Sequence, residues 1–458
     1  MTLIRRSTTI FNHYRDQFKL AKILSILAFL WAALLPWTQL HAQVTTEEAR
    51  HWQADLDYLN KQLVDRHVDL YHSVSEDIFS EAVAQLDADI PSLDQAEILV
   101  RFAQLLALIG DGHTSFFAAN QEDKAFQHYP LRFWAFSEGI FVIATHAELS
   151  HLLGKRLVKI DATEIADAHA AIRSTISADN DMEYTYSVPF MLSQAELLWT
   201  LGIAGSVEQA SFLFADNTRV ELDAISQETY NQSKWTTANP LYGSGQPPSM
   251  RVDFLFASPV SIDALSQMSY YWFTLLEAQN SLYFQYNISW DQDGRASFAA
   301  VTDQLMQYLD NSSVERVIID IRQNSGGEPA TAQPLIDALA ARPYLAEEGR
   351  LFVLVGRRTY SAALTTAAHL RSEAGAKVVG EASRGKPNNP SEGRDILLEQ
   401  SGAYATVSTQ FLNRDPALGG RPFLPVDIPV ESSFSDYKQG RDVILEAALS
   451  AKLHSELD

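Results

Sequence analysis

Hydrophobic positions recur with a helical period early in the chain and gather into short continuous runs toward its end. Trp52, Leu56, Leu59 and Leu63 fall on one helix face, and Thr45-Thr46-Glu47-Glu48 supplies a cap and an acidic first turn ahead of them. The same reading predicts helices over 76–88 and 95–106, with Pro91-Ser92 breaking the chain between them. From His128 to about Asp223 the pattern is β-rich. Residues 129–133, 139–143, 153–161 and 220–222 read as strands, and 164–172 and 194–201 as helices. Asn239 to Pro248, rich in Gly, Ser and Pro, reads as a linker. Beyond it strands and helices alternate: strand 282–286, helix 298–309, strands 317–319 and 351–355, an Ala-rich helix opened by Ser361, then strand 377–380. Apolar runs of this kind mark strands buried on both faces of a mostly parallel sheet. A period-two stretch at 403–409 and a last helix ending near Leu453 complete the chain.

The polar chemistry sits where these strands end. The strand at 317–319 runs into Asp320-Ile321-Arg322-Gln323-Asn324-Ser325-Gly326-Gly327, whose paired glycines let bare backbone N–H groups face a ligand. Ser361 opens a helix, where free N–H groups and the positive dipole end suit a serine that must carry negative charge through a tetrahedral intermediate. The ordinary meaning of a serine there is an N-cap. Strand 377–380 leads to Gly385-Lys386, and strand ends of one sheet lie side by side, which brings the Gly pair, Ser361 and Lys386 to one rim. A serine hydroxyl needs a neighbouring base. Two are available: His113, in Gly110-Asp111-Gly112-His113-Thr114-Ser115, and Lys386. An imidazole with a pKa near 6.5 serves without tuning, whereas a lysine needs burial or a cationic neighbour to come down from about 10.4.

Three ordered motifs resemble the catalytic core of the C-terminal processing (tail-specific) serine peptidases and of their tricorn-core and interphotoreceptor retinoid-binding relatives. The D-[LI]-R-x-N-x-G-G loop matches Asp320, Arg322, Asn324, Gly326 and Gly327; the turn followed by S-A matches Thr359 to Ala362; the V-V-G-E-x-[TS]-x-G-K stretch matches Val378 to Lys386. His113 lies in a D-G-H-[TS] motif like that of the tricorn branch, and Lys386 stands at the spacing of the lysine branch, so the general base is His113 or Lys386. The resemblance implies Ser361 as nucleophile and an oxyanion hole from the N–H of Ala362 with that of Gly326 or Gly327. Glu392 and Ser115 are supporting candidates, and Asp320 with Arg322 would hold the loop through a charged hydrogen bond. The implied fold is α/β: a Clp-protease/crotonase-like parallel-sheet core, an N-terminal helical region, and a β-rich insert that is either a PDZ-like module or a spacer. The implied activity is hydrolysis of peptide bonds in unfolded or C-terminally exposed proteins through an acyl-enzyme. A catalytically silent binding protein on the same fold and a non-peptide serine hydrolase are the alternatives.

Composition narrows the setting. A formal charge of −22 argues against nucleic acid or anionic membrane as partner. The absence of cysteine excludes disulfides, thiolate metal sites and a cysteine-linked lipid anchor. There is no H-E-x-x-H, G-x-S-x-G or P-loop, and no cofactor or metal is expected. Arg5, Arg6, Arg15, Lys19 and Lys22 precede an apolar run over 23–35, followed by His41-Ala42; this reads as a signal peptide cut after Ala42, with an uncleaved anchor as the alternative. The run is short for a bilayer, which needs about 20 residues. Its removal takes away five cationic residues and one acidic one, giving a mature charge of −26. The expected partition is 1–42 signal peptide, 43–117 helical region, 118–245 β-rich domain with linker, and 246–458 catalytic core, in an exported, periplasmic or secreted protein. Nothing in the sequence speaks to oligomeric state.

Overall fold

The computed structural model describes residues 43–118, 126–238 and 270–453. The basic leader and the 239–248 linker lie outside the described residues. No described helix is long and apolar enough to cross a membrane.

The described residues start with three helices, α1 (Thr46–Arg66), α2 (Glu76–Asp89) and α3 (Gln95–Ala107). Thr45 and Glu48 form a reciprocal capping box at the start of α1, and Asp94 with Glu97 repeats the device at α3. The apolar faces of α1 and α3 meet through Trp52 and Phe102, edge to face with ring centroids 5.4 Å apart. Next come β1 (Leu131–Phe136), β2 (Gly139–His146), β3 (Leu157–Ile160), β4 (Thr163–Glu164), α4 (Ile165–Arg173), α5 (Asp181–Met191), α6 (Ala195–Thr200), β5 (Gln209–Phe214), β6 (Arg219–Asp223) and β7 (Trp235–Thr237). They form an antiparallel sheet of order β4-β3-β5-β6 and a second one of order β1-β2-β7.

The remaining chain builds a six-stranded sheet of order β15-β12-β11-β10-β9-β8, from β8 (Tyr271–Leu276), β9 (Ser281–Tyr286), β10 (Arg316–Asp320), β11 (Leu351–Val355), β12 (Lys377–Gly380) and β15 (Ile428–Pro429). All neighbours are parallel except β8, an antiparallel edge. Side chains alternate between the two faces as strand geometry requires. Leu282, Phe284, Val317, Ile319, Leu351 and Val353 pack under α7 (Phe298–Asp310), α8 (Gln333–Ala340) and α9 (Ala362–Ser372). Tyr283, Ile318, Phe352, Leu354 and Val379 pack against α10 (Val443–Ser450). Burial on both sides explains why these strands read as unbroken apolar runs, and the expected α/β class with a mostly parallel core is what forms.

A long hairpin, β13 (Asn388–Leu397) with β14 (Tyr404–Asn413), leaves this core and returns to the front of the chain. Its Ile396, Ala405 and Val407 join one continuous apolar core with α1, α3, α6 and β5. Two local expectations differ from the structure. Residues 153–161 are not one strand: only Leu157–Ile160 is extended, because 147–152 coil into a 3-10 turn and Leu153 and Lys155 donate back into it. Helix α5 escapes the sequence pattern, since its aromatic and β-branched residues and an internal Pro189 read against a helix and only packing decides.

Candidate active site

Parallel registry brings the C-terminal ends of β10, β11 and β12 into one row. The loop after β10 and the turn after β11 are tied together. Thr359 Oγ1 donates to the Ile321 carbonyl (3.1 Å), and the Tyr360 N–H donates to the Asn324 carbonyl (3.3 Å). The base of the β10 loop is a buried ionic clamp: Arg322 donates to Asp320 (Nη2–Oδ2 2.6 Å) and to Asp442 (Nη1–Oδ1 2.6 Å) ahead of α10, while Tyr283 donates its hydroxyl to Asp320 (2.6 Å). The expected loop-holding pair is therefore present, with Asp442 as a third member that no local pattern announces.

Ser361 sits at the head of α9 with φ 51° and ψ −121°, and its side chain caps nothing. A non-glycine residue there costs on the order of 1–3 kcal/mol, so the tertiary contacts must over-determine it. Its Oγ lies 3.1 Å from His113 Nε2 instead. Gly326 (φ 125°) packs directly on the serine: a Cβ at this position would lie 2.8 Å from Ser361 Cβ. The Gly326 N–H donates to Asn324 Oδ1 (2.9 Å), which leaves Gly327 as the glycine of the pair whose amide has no acceptor among the described residues. The Ala362 N–H, in the first turn of α9, has no intrahelical acceptor.

His113 arrives from the turn that follows α3. Asp111, fully buried, shapes that turn: it accepts from the N–H groups of His113 (3.0 Å) and Thr114 (2.8 Å), from Ser408 Oγ (2.6 Å) and from His67 Nε2 (2.9 Å). Burial pushes its carboxyl up, but the His67, Ser408 and Thr114 hydrogen bonds outweigh that and hold it below the usual carboxylate range. The other ring nitrogen of His113, Nδ1, lies 2.8 Å from Tyr360 Oη, with the two rings stacked at 4.6 Å. Gly112 makes this possible, because a Cβ there would run into the Tyr360 hydroxyl. Burial first, then the Arg414 and Arg384 charges, push His113 down to about 3, with Asp111 pulling the other way. The ring is thus neutral at ordinary pH.

A second layer surrounds the ring. Ser391 Oγ lies 3.4 Å from His113 Nε2 and accepts from Arg414 Nη2 (3.2 Å). Arg414 Nη1 donates to Asn389 Oδ1 (2.6 Å), and Asn389 Nδ2 donates to Asp179 Oδ2 (2.7 Å). Burial raises Asp179 to about 7, against the lowering effect of Asn389, the Gly112 N–H and the Lys386 charge.

Of the residues singled out from the sequence, Ser361, His113, Gly326 and Ala362 come together, and Gly327 follows in the same loop. Lys386 does not join them: its ammonium makes no hydrogen bond to Ser361, and its charge acts on Asp179. Glu392, at φ 55°, pairs with Arg394 (3.7 Å), and Ser115 pairs its hydroxyl with Thr406 (2.9 Å), so neither side chain hydrogen-bonds the His113 ring. Tyr360, Asp179, Asn389, Ser391 and Arg414 were not assigned roles by sequence reasoning. Tyr360 had a usable signal, since it directly precedes the serine; the others lie far away along the chain.

No family model matches the chain, and no curated protein matches it. Solved structures do. The structure of mature CPAF aligns at a TM-score of 0.54 and 11% identity, covering 88% of this chain and 99% of that chain. A CPAF mutant aligns at 0.55 and 10%, covering 88% and 98%. The photosystem II D1 C-terminal processing protease aligns at 0.37 and 15% over 84% of this chain and 94% of that chain, too loosely to bear on the assignment. At these identities the likeness is one of fold, and the chain shares the fold of mature CPAF along nearly the whole length of that protein.

Proposed function

We propose that the chain is a serine peptidase that cleaves unfolded or C-terminally exposed proteins through an acyl-enzyme on Ser361, with His113 as general base, and that it works outside the cytoplasm after loss of residues 1–42. The observation that carries this reading is the 3.1 Å approach of Ser361 Oγ to His113 Nε2 from a backbone conformation that no capping role explains. In the tautomer with its proton on Nδ1, His113 donates to Tyr360 Oη and turns the Nε2 lone pair toward the serine. Nε2 takes the hydroxyl proton as Oγ bonds to the substrate carbonyl carbon. The oxyanion accepts from the Gly327 and Ala362 N–H groups. Nε2 then returns the proton to the departing amine, and water repeats the sequence on the acyl-enzyme. The low proton affinity of the buried ring keeps it unprotonated and ready, and the nearby Asp111 carboxylate favours the imidazolium when it forms.

Cleavage of casein or a reporter peptide by the chain from Gln43 onward tests this. Ser361→Ala and His113→Ala are expected to fall to one common floor, because residues that act as a unit are not additive. Lys386→Ala is expected to stay within a few-fold of wild type. Equal rates for wild type and Ser361→Ala on every substrate would move the assignment to a binding protein; loss in Lys386→Ala alone would move the base.

A further inference from the structure

A cavity of about 280 Å³ lies against the ring of Tyr360, and neither Ser361 nor His113 lines it. Its apolar walls come from Ala103 on α3, Phe116 after the histidine turn, Phe190 and Met191 on α5, and Leu197 on α6. Its two charged residues are paired with each other, with Arg384 Nε left without a partner. Glu183 binds Arg384 Nη1 (3.2 Å) and accepts from Ser187 Oγ (2.6 Å), while the Arg384 guanidinium lies 4.4 Å from the Tyr360 ring centroid and 4.6 Å from that of Tyr186. A charged head group would meet no unpaired countercharge here and would lose its hydration. An apolar cavity of about 150 Å³ holds benzene, so this one takes a two-ring molecule or a chain of about ten carbons.

We propose that this cavity is a binding site for a small, uncharged, mainly apolar molecule, separate from the peptide-bond site, and that its occupancy is transmitted to His113 through Tyr360. Tyr360 forms part of the cavity wall and its hydroxyl bonds His113 Nδ1, so a ligand that presses on the ring or on the Arg384 stack shifts the partner of the base. By linkage the effect is reciprocal: a change at His113 alters ligand affinity by the same factor.

The test uses 1-naphthylamine, a two-ring fluorophore that is uncharged at neutral pH, on the chain from Gln43 onward. Saturable binding with one site per chain is expected, displaced by 1-decanol and not by decanoate or decyltrimethylammonium at equal concentration. Ala103→Leu, which fills the cavity from α3, should weaken the fluorophore at least tenfold. Met191→Ala, which enlarges it, should keep binding and so covers the case in which the first variant does not fold. Ring nitrogen NMR, with the His113 signal identified by its loss in His113→Gln, should show a shift on adding decanol to wild type and none in Ala103→Leu. Absence of saturable binding by folded wild type, competition by decanoate equal to that by decanol, or unchanged affinity in a folded Ala103→Leu would overturn the site. Binding that leaves the His113 signal unmoved would overturn the coupling. None of these readouts needs peptide hydrolysis, so their failure is distinct from failure of the peptidase assignment.

Discussion

Gly112 and Tyr360 give the sharpest test of how the base is held. A Cβ on residue 112 would overlap the Tyr360 hydroxyl, with the next atom, Tyr360 Cζ, at 3.2 Å. Gly112→Ala must therefore push the hydroxyl off His113 Nδ1 or strain the turn, an overpacking cost of about 1–3 kcal/mol. Tyr360→Phe removes the same hydroxyl and leaves a buried Nδ1 unpartnered, also about 1–3 kcal/mol. With each 1.36 kcal/mol worth tenfold, each single change should lower kcat/KM by roughly 5- to 150-fold. The double variant is where the structure commits itself. Once the hydroxyl is gone, the new methyl meets a ring carbon at 3.2 Å, which a small shift of the ring relieves, and Asp179 Oδ2 at an ordinary 3.5 Å. Gly112→Ala added to Tyr360→Phe should then cost no more than about threefold further, close to the scatter of additivity. The assay is a double-mutant cycle on reporter cleavage, with thermal midpoints recorded alongside. If the two penalties simply multiply, Gly112 serves something other than the tyrosine, and if Tyr360→Phe cleaves at the wild-type rate, the tyrosine does not hold the base.

Asp179 predicts a pH dependence of stability. Its folded pKa, about 7, lies above the ordinary 3.8, so its favourable contribution is complete below pH 3.8 and is lost as pH rises toward 7. The full span is worth roughly 4 kcal/mol as an upper bound. The thermal midpoint of Asp179→Asn relative to wild type should accordingly improve from pH 5 to pH 8; a constant difference across that range would contradict the assignment. Arg322→Met strands the Asp320 and Asp442 carboxylates beside each other and should destabilise the fold by about 3–5 kcal/mol in denaturant titration, with Asp442→Asn milder because Arg322 keeps Asp320. Gly326→Ala should abolish cleavage while leaving the protein folded, since the methyl is aimed at Ser361 Cβ; full activity in that variant would displace the Gly326 backbone from the site.

The core was legible because parallel strands buried on both faces have to be apolar throughout, as 317–319, 351–355 and 378–379 are. Ser361 stood out for a related reason: a serine between a buried strand and an Ala-rich helix, with a Gly pair at the end of the adjacent strand, has few uses. For the base the sequence named two candidates, His113 and Lys386. That His113 is the one that approaches Ser361 Oγ, at 3.1 Å, is visible only in space, because a loop after α3 and a loop after β12 are equally free, by sequence, to reach the head of α9. What the sequence by itself determined was therefore the periodicity of the elements, the parallel core and the residues able to do the chemistry, all of which depend on local pattern and burial. Only the tertiary structure decided the rest. The β13–β14 hairpin lays Ser391 and Asn389 beside a histidine some 280 residues earlier; Tyr360 takes the supporting place that Glu392 and Ser115 leave empty; and Asp179 is buried where its ionisation moves toward neutrality. Such contacts between chain-distant residues are set by how the layers close on one another, and closure follows from the summed packing of the core rather than from any short stretch within it.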